Sequence, residues 1–446
     1  MKNKVDMING RLFPQMMKFA VPLILSSILQ TLYNAADSLI VGRYGSSNAL
    51  GAVGSVGPIV NTLVNLFMGL AIGTNVAVAR YRGEGNGKMV KKTSDTAVII
   101  ALVSGIVVGI LGFFIARPVA YLVKIDAEII EMSILYMQIY FLGMPFIALY
   151  NFISATMRGI GDTKNPMISL VISGAINVVL NIIFVKYFFM GVAGVALATV
   201  ISQIVGFLII LHMLRKSDVG FSIKGISFDK KIFKFTARIG IPAGIQGITF
   251  SISNTIMISS INSFGAAAAA GHSVESQVEN ILYVAINSIA QTVTTFTSQN
   301  IGARKIRRIT PIMLCGFAIA ITEGVLLSSI AYLFKDAIIA MFAPGDAAVA
   351  SFAVVKFKYV VLPYFVISMI EIPSGTLRGM GATVVSMLMS LLGVCGFRLL
   401  WLLVLFPMNR TPEFLFTAYP ASWFVTGCMY IIAYIILRKR MNTNNG

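Results

Sequence analysis

A carboxylate inside an otherwise apolar run is the first residue of this chain with chemistry to offer. The stretch FAVPLILSSILQTLYNAADSLIVGRYG, residues 19–45, suits a lipid-facing helix, yet it contains Asp37 with Asn34 and Gln30 behind it. Positions 30, 34 and 37 are spaced i, i+4, i+7 and form one polar stripe on a helix. A charge at the bilayer centre costs about 2.5–3.5 kcal/mol on insertion scales, so it faces a cavity or partner and marks an ion path. Pro22, about four turns away, removes a backbone donor and is the expected hinge.

The second half carries its own acids. Glu275 and Glu279 in SVESQVEN are i, i+4 on one helix face, either lining a cavity that attracts cations or lying in water near the outer rim. Glu371 lies in SMIEIPSGTLRG, and Arg398 in GVCGFRLLW is read as the only cation in the interior of a span. Such a cation needs a counter-ion, which makes Glu371–Arg398 the expected buried pair. Glu323 stands alone. Gln246 and Asn254 join other in-span amides that bridge helices or face a cavity, and His212 and His272 fall at span ends, where an interfacial position is expected. Cys315, Cys395 and Cys428 lie far apart, with no CxxC spacing for zinc or a disulfide framework. A His/Asp/Glu metal cluster, a nucleophile–base pattern and a GxxxxGK[ST] loop are all missing from the sequence, which argues against an enzyme and against an ATP-driven pump.

The elements that position these residues are membrane helices. Of 446 residues, 57% are hydrophobic and only 12% charged, with mean hydropathy +0.85; soluble domains carry about 25% charge. Twelve spans of roughly twenty residues or more follow, at about 16–42, 49–79, 93–116, 129–155, 165–187, 191–213, 236–263, 267–299, 309–334, 350–376, 383–407 and 416–437. The net charge of +18 is clustered at membrane edges such as Lys88–Lys92 and Arg304–Arg308, facing anionic headgroups rather than nucleic acid. With the N-terminus inside, most Lys and Arg fall on the inner side, so both termini are expected in the cytoplasm. A removable signal peptide is not expected.

The chain also repeats itself. Pro22, Gly45 and Gly51 recur as Pro242, Gly265 and Gly271, and MRGIGDT at 157–163 recurs as LRGMGAT at 377–383, each 220 positions on. The expected architecture is therefore all-α: two pseudo-symmetric six-helix bundles, residues 1–218 and 236–446, around a central cavity. A cytoplasmic linker, 219–235, joins them, and its FDKKIFKFTAR portion has the alternation of an interfacial helix.

LYNAADSLIVGRYG, MRGIGDT, GVAGVALATVISQ and SQNIGARK, in this order and spacing, make the chain resemble the multidrug and toxic compound extrusion (MATE) transporters over essentially its whole length. The resemblance implies a monomeric cation-coupled antiporter in the plasma membrane. Such a protein has no cofactor beyond a coupling H⁺ or Na⁺ and exports small organic, cationic or amphipathic molecules by alternating access. It also implies an ion site, with Na⁺ as the possible metal, formed by Asp37, Asn177, Asn181 and Thr199. The chain departs from the family pattern at Asn181, where an aspartate is usual, so the site holds one formal negative charge. A lipid-linked precursor flippase and, further off, a membrane-embedded enzyme are the alternative readings.

Overall fold

The computed structural model describes residues 5–443, without the side chains of Ser47, Asn61 and Asn442; Lys2 and Lys4, part of the charge asymmetry, lie outside it. The described residues form helices joined by short turns. In the first half these are α1 (Leu12–Tyr44), α2 (Ser47–Gly83), α3 (Gly87–Leu122), α4 (Ile130–Leu142), α5 (Met144–Gly159), α6 (Lys164–Asn181) and α7 (Gly191–Lys216). The second half has α8 (Lys230–Asn262), α9 (Ala266–Gly302), α10 (Ile309–Leu333), the short α11 (Lys335–Phe342), α12 (Ala347–Lys356), α13 (Ser368–Met380), α14 (Thr383–Ser390), α15 (Phe397–Leu400) and α16 (Pro412–Thr443).

Two pairs act as single bent rods: α4 and α5 meet at 49°, and the rod running from α12 through Val361 meets the one ending in α13 at 43°. The bends fall at Gly143–Pro145 and at Pro363, 220 positions apart, where a proline removes a helix hydrogen bond. Among the described residues eight helices are long and apolar enough to cross a bilayer, and ten when each bent pair is counted as one span. The remaining two long rods, α8 and α9, with 33 and 37 residues, complete the twelve; internal polar residues such as Gln246, Glu275 and Gln291 lower their hydropathy. Large apolar side chains left exposed along α3 (Val103, Ile106, Ile110, Phe114) suit acyl chains.

The repeated RGxGxT motif has one physical job in both halves. Gly161 (φ 92°) and Gly381 (φ 86°) take the left-handed conformation that ends α5 and α13, each amide donating to the carbonyl of an arginine, Arg158 or Arg378, at 2.9 Å. Glycine adopts that conformation without strain. Helices also close on one another through glycine: a Cβ at Gly105 of α3 would stand 2.6 Å from Pro145 Cα, and one at Gly109 2.8 Å from Phe141 O. This GxxxG pair is the small-residue contact that lets apolar helices pack without a hydrophobic drive.

By compactness the chain falls into two units, and the division does not follow chain order. The N-unit has Val21–Gly244 as its body; the C-unit joins Met7–Ala20 to everything from Ile245 on. The boundaries lie beside Pro22 in α1 and Pro242 in α8. The first turns of α8 pack inside the N-unit, with Gly240 against Leu70 and Arg80 over the Phe235 ring at 5.3 Å. The first turns of α1 pack inside the C-unit, where Phe19 meets Phe296 edge to face, centroids 5.9 Å apart.

The FDKKIFKFTAR portion of the linker is helical from Lys230 on and continues into α8, whereas the part before it is not. Val219 and Phe221 are buried in the N-unit core beside Val78, Met157 and Leu214, and helix begins only at Lys230. Arg82 pairs with Asp218 at 2.9 Å and the Asp229 amide donates to Thr96 Oγ1 at 3.1 Å, which ties the linker to the N-unit, while Ile223, Phe228 and Phe233 stay exposed. Asp229 also caps α8, accepting from the amides of Lys231 (2.9 Å) and Ile232 (3.1 Å). The amide of Ile232 above all holds its carboxyl below the usual carboxylate range. A depressed pKa means that the cap stabilises above about pH 4, its unfolded value, and fades as pH falls through the folded one. Asp229→Ala is therefore expected to lower the unfolding temperature at pH 7, with a deficit that closes as the parent is acidified below about pH 4; a pH series of thermal melts reads both effects.

Candidate functional site

Asp37 lies half-buried on α1 against the end of α6. Asn181 Nδ2 donates to Asp37 Oδ1 at 2.5 Å and to Asn177 Oδ1 at 3.2 Å. Asn181 is fully buried, and its own Oδ1 has no hydrogen-bond partner among the described residues. The carboxylate, the Asn177 carbonyl and this free carbonyl thus gather oxygen ligands and one negative charge in one place. Hard monovalent cations favour such oxygens, and a proton would equally neutralise the carboxylate.

Local backbone explains the placement. Asn177 and Asn181 share one face of α6 at i, i+4. The helix then widens into a π-helical turn, Ile182–Tyr187, a distortion common at functional positions. Tyr33, one turn before Asp37, lies against Gly174, where any Cβ would collide with its ring, and its hydroxyl donates to Val171 O at 3.3 Å. Tyr136 and Tyr140 of α4 stack with ring centroids 6.0 Å apart.

Other expected members fall elsewhere. Thr199 spends its hydroxyl on its own helix, donating to Val195 O at 3.0 Å, so the hydrogen-bonded cluster holds three residues of the expected four. Gln30 and Asn34 are exposed along α1 and take no part in the cluster. Pro22 leaves α1 unbroken.

In the C-unit the expected Glu371–Arg398 pair does not form. Glu371 accepts from Asn287 Nδ2 at 3.1 Å and lies 3.9 Å from Arg378, which follows it by two turns on the same helix. Gln291 extends this chain, donating to Asn287 Oδ1 at 2.9 Å. Arg398 is buried and pairs with no carboxylate among the described residues. It donates to Asn254 Oδ1 (2.9 Å) and Ser422 Oγ (3.2 Å) and lies 4.4 Å over the Tyr419 ring. Amide, hydroxyl and π-face together replace the missing counter-ion. Gln246 joins a buried hydroxyl network, donating to Ser374 at 3.3 Å and Tyr430 at 3.2 Å.

Arg398 is not the only cation inside a span. Lys356, at the end of α12, is fully buried; it pairs with Glu275 and, at 3.2 Å, with Glu279, while His272 lies 2.8 Å from its ammonium. His272, half-buried near the start of α9, turns toward this lysine. The spacing of His272, Glu275, Ser276 and Glu279 on one face of α9 is the signal in the sequence for a bound cation, and Lys356 lies near the start of its span, where a lysine reads as interfacial. Glu323 points one carboxylate oxygen, Oε2, into the interior with no partner among the described residues. A group of three or more His, Cys, Asp or Glu arranged to hold a metal ion does not occur among those residues.

A family model described as MatE matches the chain twice, at residues 22–183 and 242–402, which is the repeat read from sequence. The probable multidrug resistance protein YoeA of Bacillus subtilis is 29% identical over 333 residues, 73% of this chain and 72% of that one. The probable multidrug resistance protein NorM of Thermotoga maritima is 26% identical and covers 86% of this chain and 84% of its own. Among solved structures, the outward-facing conformation of a multidrug resistance MATE family transporter of the MOP superfamily superposes with TM-score 0.90 at 21% identity, over 99% of this chain and 98% of that one. A MOP superfamily transporter from Pyrococcus furiosus, described as having a binding pocket of reverse polarity, gives 0.92 at 21% identity over 99% of both. At this identity the structures establish the fold.

The pairing pattern has a thermodynamic signature. Glu371→Gln and Arg398→Gln are expected to add in a double-mutant cycle within about 0.5 kcal/mol, whereas Arg398→Gln and Asn254→Ala, which share a hydrogen bond, are expected to couple beyond that limit. Unfolding of the purified variants measures both cycles.

Proposed function

The chain belongs to the MatE family and is a multi-pass membrane transporter, not an enzyme, and from that premise we propose that it is a cation-coupled antiporter exporting organic, cationic or amphipathic compounds across the plasma membrane. The observation that carries this reading is the Asp37–Asn181–Asn177 cluster: a carboxylate inside an apolar helix, held at 2.5 Å by a fully buried amide whose own oxygen is free. The relatives' names supply the substrate class, since those proteins are described as multidrug resistance and export proteins.

In this mechanism Asp37 alternates between an ion-bound and an ion-free state. Ion-free, the carboxylate draws on the Asn181 amide and attracts a cationic substrate. Ion-bound, its charge is cancelled, the hydrogen bond to Asn181 weakens, and α1 shifts against α6 at the Tyr33–Gly174 contact. The transition ends near Pro22, where α1 passes from one compact unit to the other. The work comes from the ion gradient, about 2.3 kcal/mol per monovalent charge for each 100 mV of membrane potential. One carboxylate supports one monovalent ion per cycle, H⁺ or Na⁺, and both termini lie on the cytoplasmic side.

Proteoliposomes loaded with a fluorescent organic cation test the proposal. Imposing a pH gradient and a Na⁺ gradient separately is expected to accelerate export in one of the two cases. Asn181→Leu, which removes the amide donor and the free oxygen, is expected to abolish that acceleration, while Thr199→Val leaves it in place. Export indifferent to both gradients would refute the coupling.

A further inference from the structure

The second half of the chain has a polar cluster that the first half lacks. His272, Glu275, Ser276 and Glu279 occupy i, i+3, i+4 and i+7 of α9, one continuous face. The positions 220 earlier are Ala52, Ser55, Val56 and Ile59, with no charge among them. Lys356 of α12 reaches into this face, and its counterpart is Tyr136. Conversely, Asp37 has the apolar Met257 as its counterpart. The two halves therefore share a fold but place their charges differently.

The geometry around Lys356 is that of a filled cation site. Its ammonium, fully buried, meets Glu275, lies 3.2 Å from Glu279 Oε2, 2.8 Å from His272 Nδ1 and 3.4 Å from Ser276 Oγ, and has the Tyr419 ring of α16 at 5.9 Å. Two carboxylates, an imidazole nitrogen, a hydroxyl and a π-face make up the donor set that a free ammonium or alkali cation would require. Gly271 lets the lysine arrive: a Cβ there would stand 2.9 Å from Val349 O and 3.0 Å from Ala353 N, so only glycine allows α12 to close on α9 one turn from the cradle. Backbone distortion follows at once, in the π-helical turn Phe357–Val361.

We propose that Lys356 is a tethered counter-cation: the α9 cradle is a monovalent cation site whose ligand is this chain's own ammonium, so the C-unit takes no coupling ion from solution. A buried carboxylate that has lost its cation is strongly destabilising, whereas neutralising both partners is close to neutral. Removing the lysine thus leaves an empty site with a defined specificity, and a small primary ammonium of the missing length is its natural occupant.

The test uses the purified full-length protein and reads thermal unfolding. Lys356→Ala is expected to lower Tm by roughly 10 °C. n-Propylammonium, which replaces the lost stem and ammonium, is expected to restore most of that loss, while n-propanol does not and the parent responds to neither. Adding Glu275→Gln to Lys356→Ala should restore Tm and abolish the amine response. An unchanged Tm in Lys356→Ala, or equal effects of amine and alcohol, would overturn the proposal. Should Lys356→Ala fail to accumulate, Lys356→Met/Glu275→Gln is expected to accumulate where each single change does not; independent effects would again overturn it. A further arm keeps this outcome apart from that of the Asp37 reading. With Asp37→Asn in place, NaCl in exchange for choline chloride is expected to shift Tm only when Lys356 is also replaced, and a sodium response with Lys356 intact contradicts the filled site. The amine arm is independent of Asp37.

Discussion

In a hydrocarbon layer no water answers a charge, so each ionisable group carried there must find its partner within the protein. That constraint organises this chain. Glu275 and Glu279 are answered by Lys356, Glu371 by Asn287 and Arg378, and Arg398 by Asn254, Ser422 and Tyr419. Asp37 differs in kind: among the described residues its hydrogen-bond partner is a neutral amide, which satisfies one oxygen and leaves the charge standing. That carboxylate, beside the free Asn181 Oδ1, is the basis of the proposed cation site.

The halves have accordingly diverged in use. One holds its in-span carboxylate, Asp37, against a neutral amide, the arrangement on which the proposed coupling rests. The other sets a lysine against its acidic face and holds Glu371 and Arg398 with neutral amides and a hydroxyl, Asn287 for the one and Asn254 and Ser422 for the other, while Glu323 keeps an oxygen without a partner among the described residues. A twofold repeat of fold thus need not mean a twofold repeat of chemistry. The conformational elements, by contrast, recur in both halves: the bends at Gly143–Pro145 and Pro363, the left-handed Gly161 and Gly381, and the unit boundaries beside Pro22 and Pro242.

How much could be read from sequence follows from the range of each interaction. The helices were legible because apolar run length is a local property, and their observed ends mostly extend a few residues beyond the expected ones as polar turns continue the backbone pattern. Asp37 was legible because a carboxylate in such a run is improbable without a use. Its bond to Asn181 spans 144 positions and was reachable only through family likeness. Glu371 and Arg378 stand two turns apart on one helix, a spacing open to reading, whereas Arg398 has no carboxylate at helical spacing in its own span and points the reading to another helix. Lys356 was hidden by its place six residues into a span, where a lysine ordinarily snorkels to the surface. The π-helical turns and the exchange of first turns between units depend on tertiary packing and leave no local trace.

The central claim is that the charge on Asp37 couples an ion to substrate movement. Its most direct test separates exchange from accumulation in proteoliposomes that contain Asp37→Asn, a substitution that keeps the shape and removes the charge. The account predicts that labelled substrate still exchanges for unlabelled substrate across the membrane, while accumulation against a concentration difference, driven by the gradient that serves the parent, disappears. Accumulation at the parental rate in Asp37→Asn would contradict it.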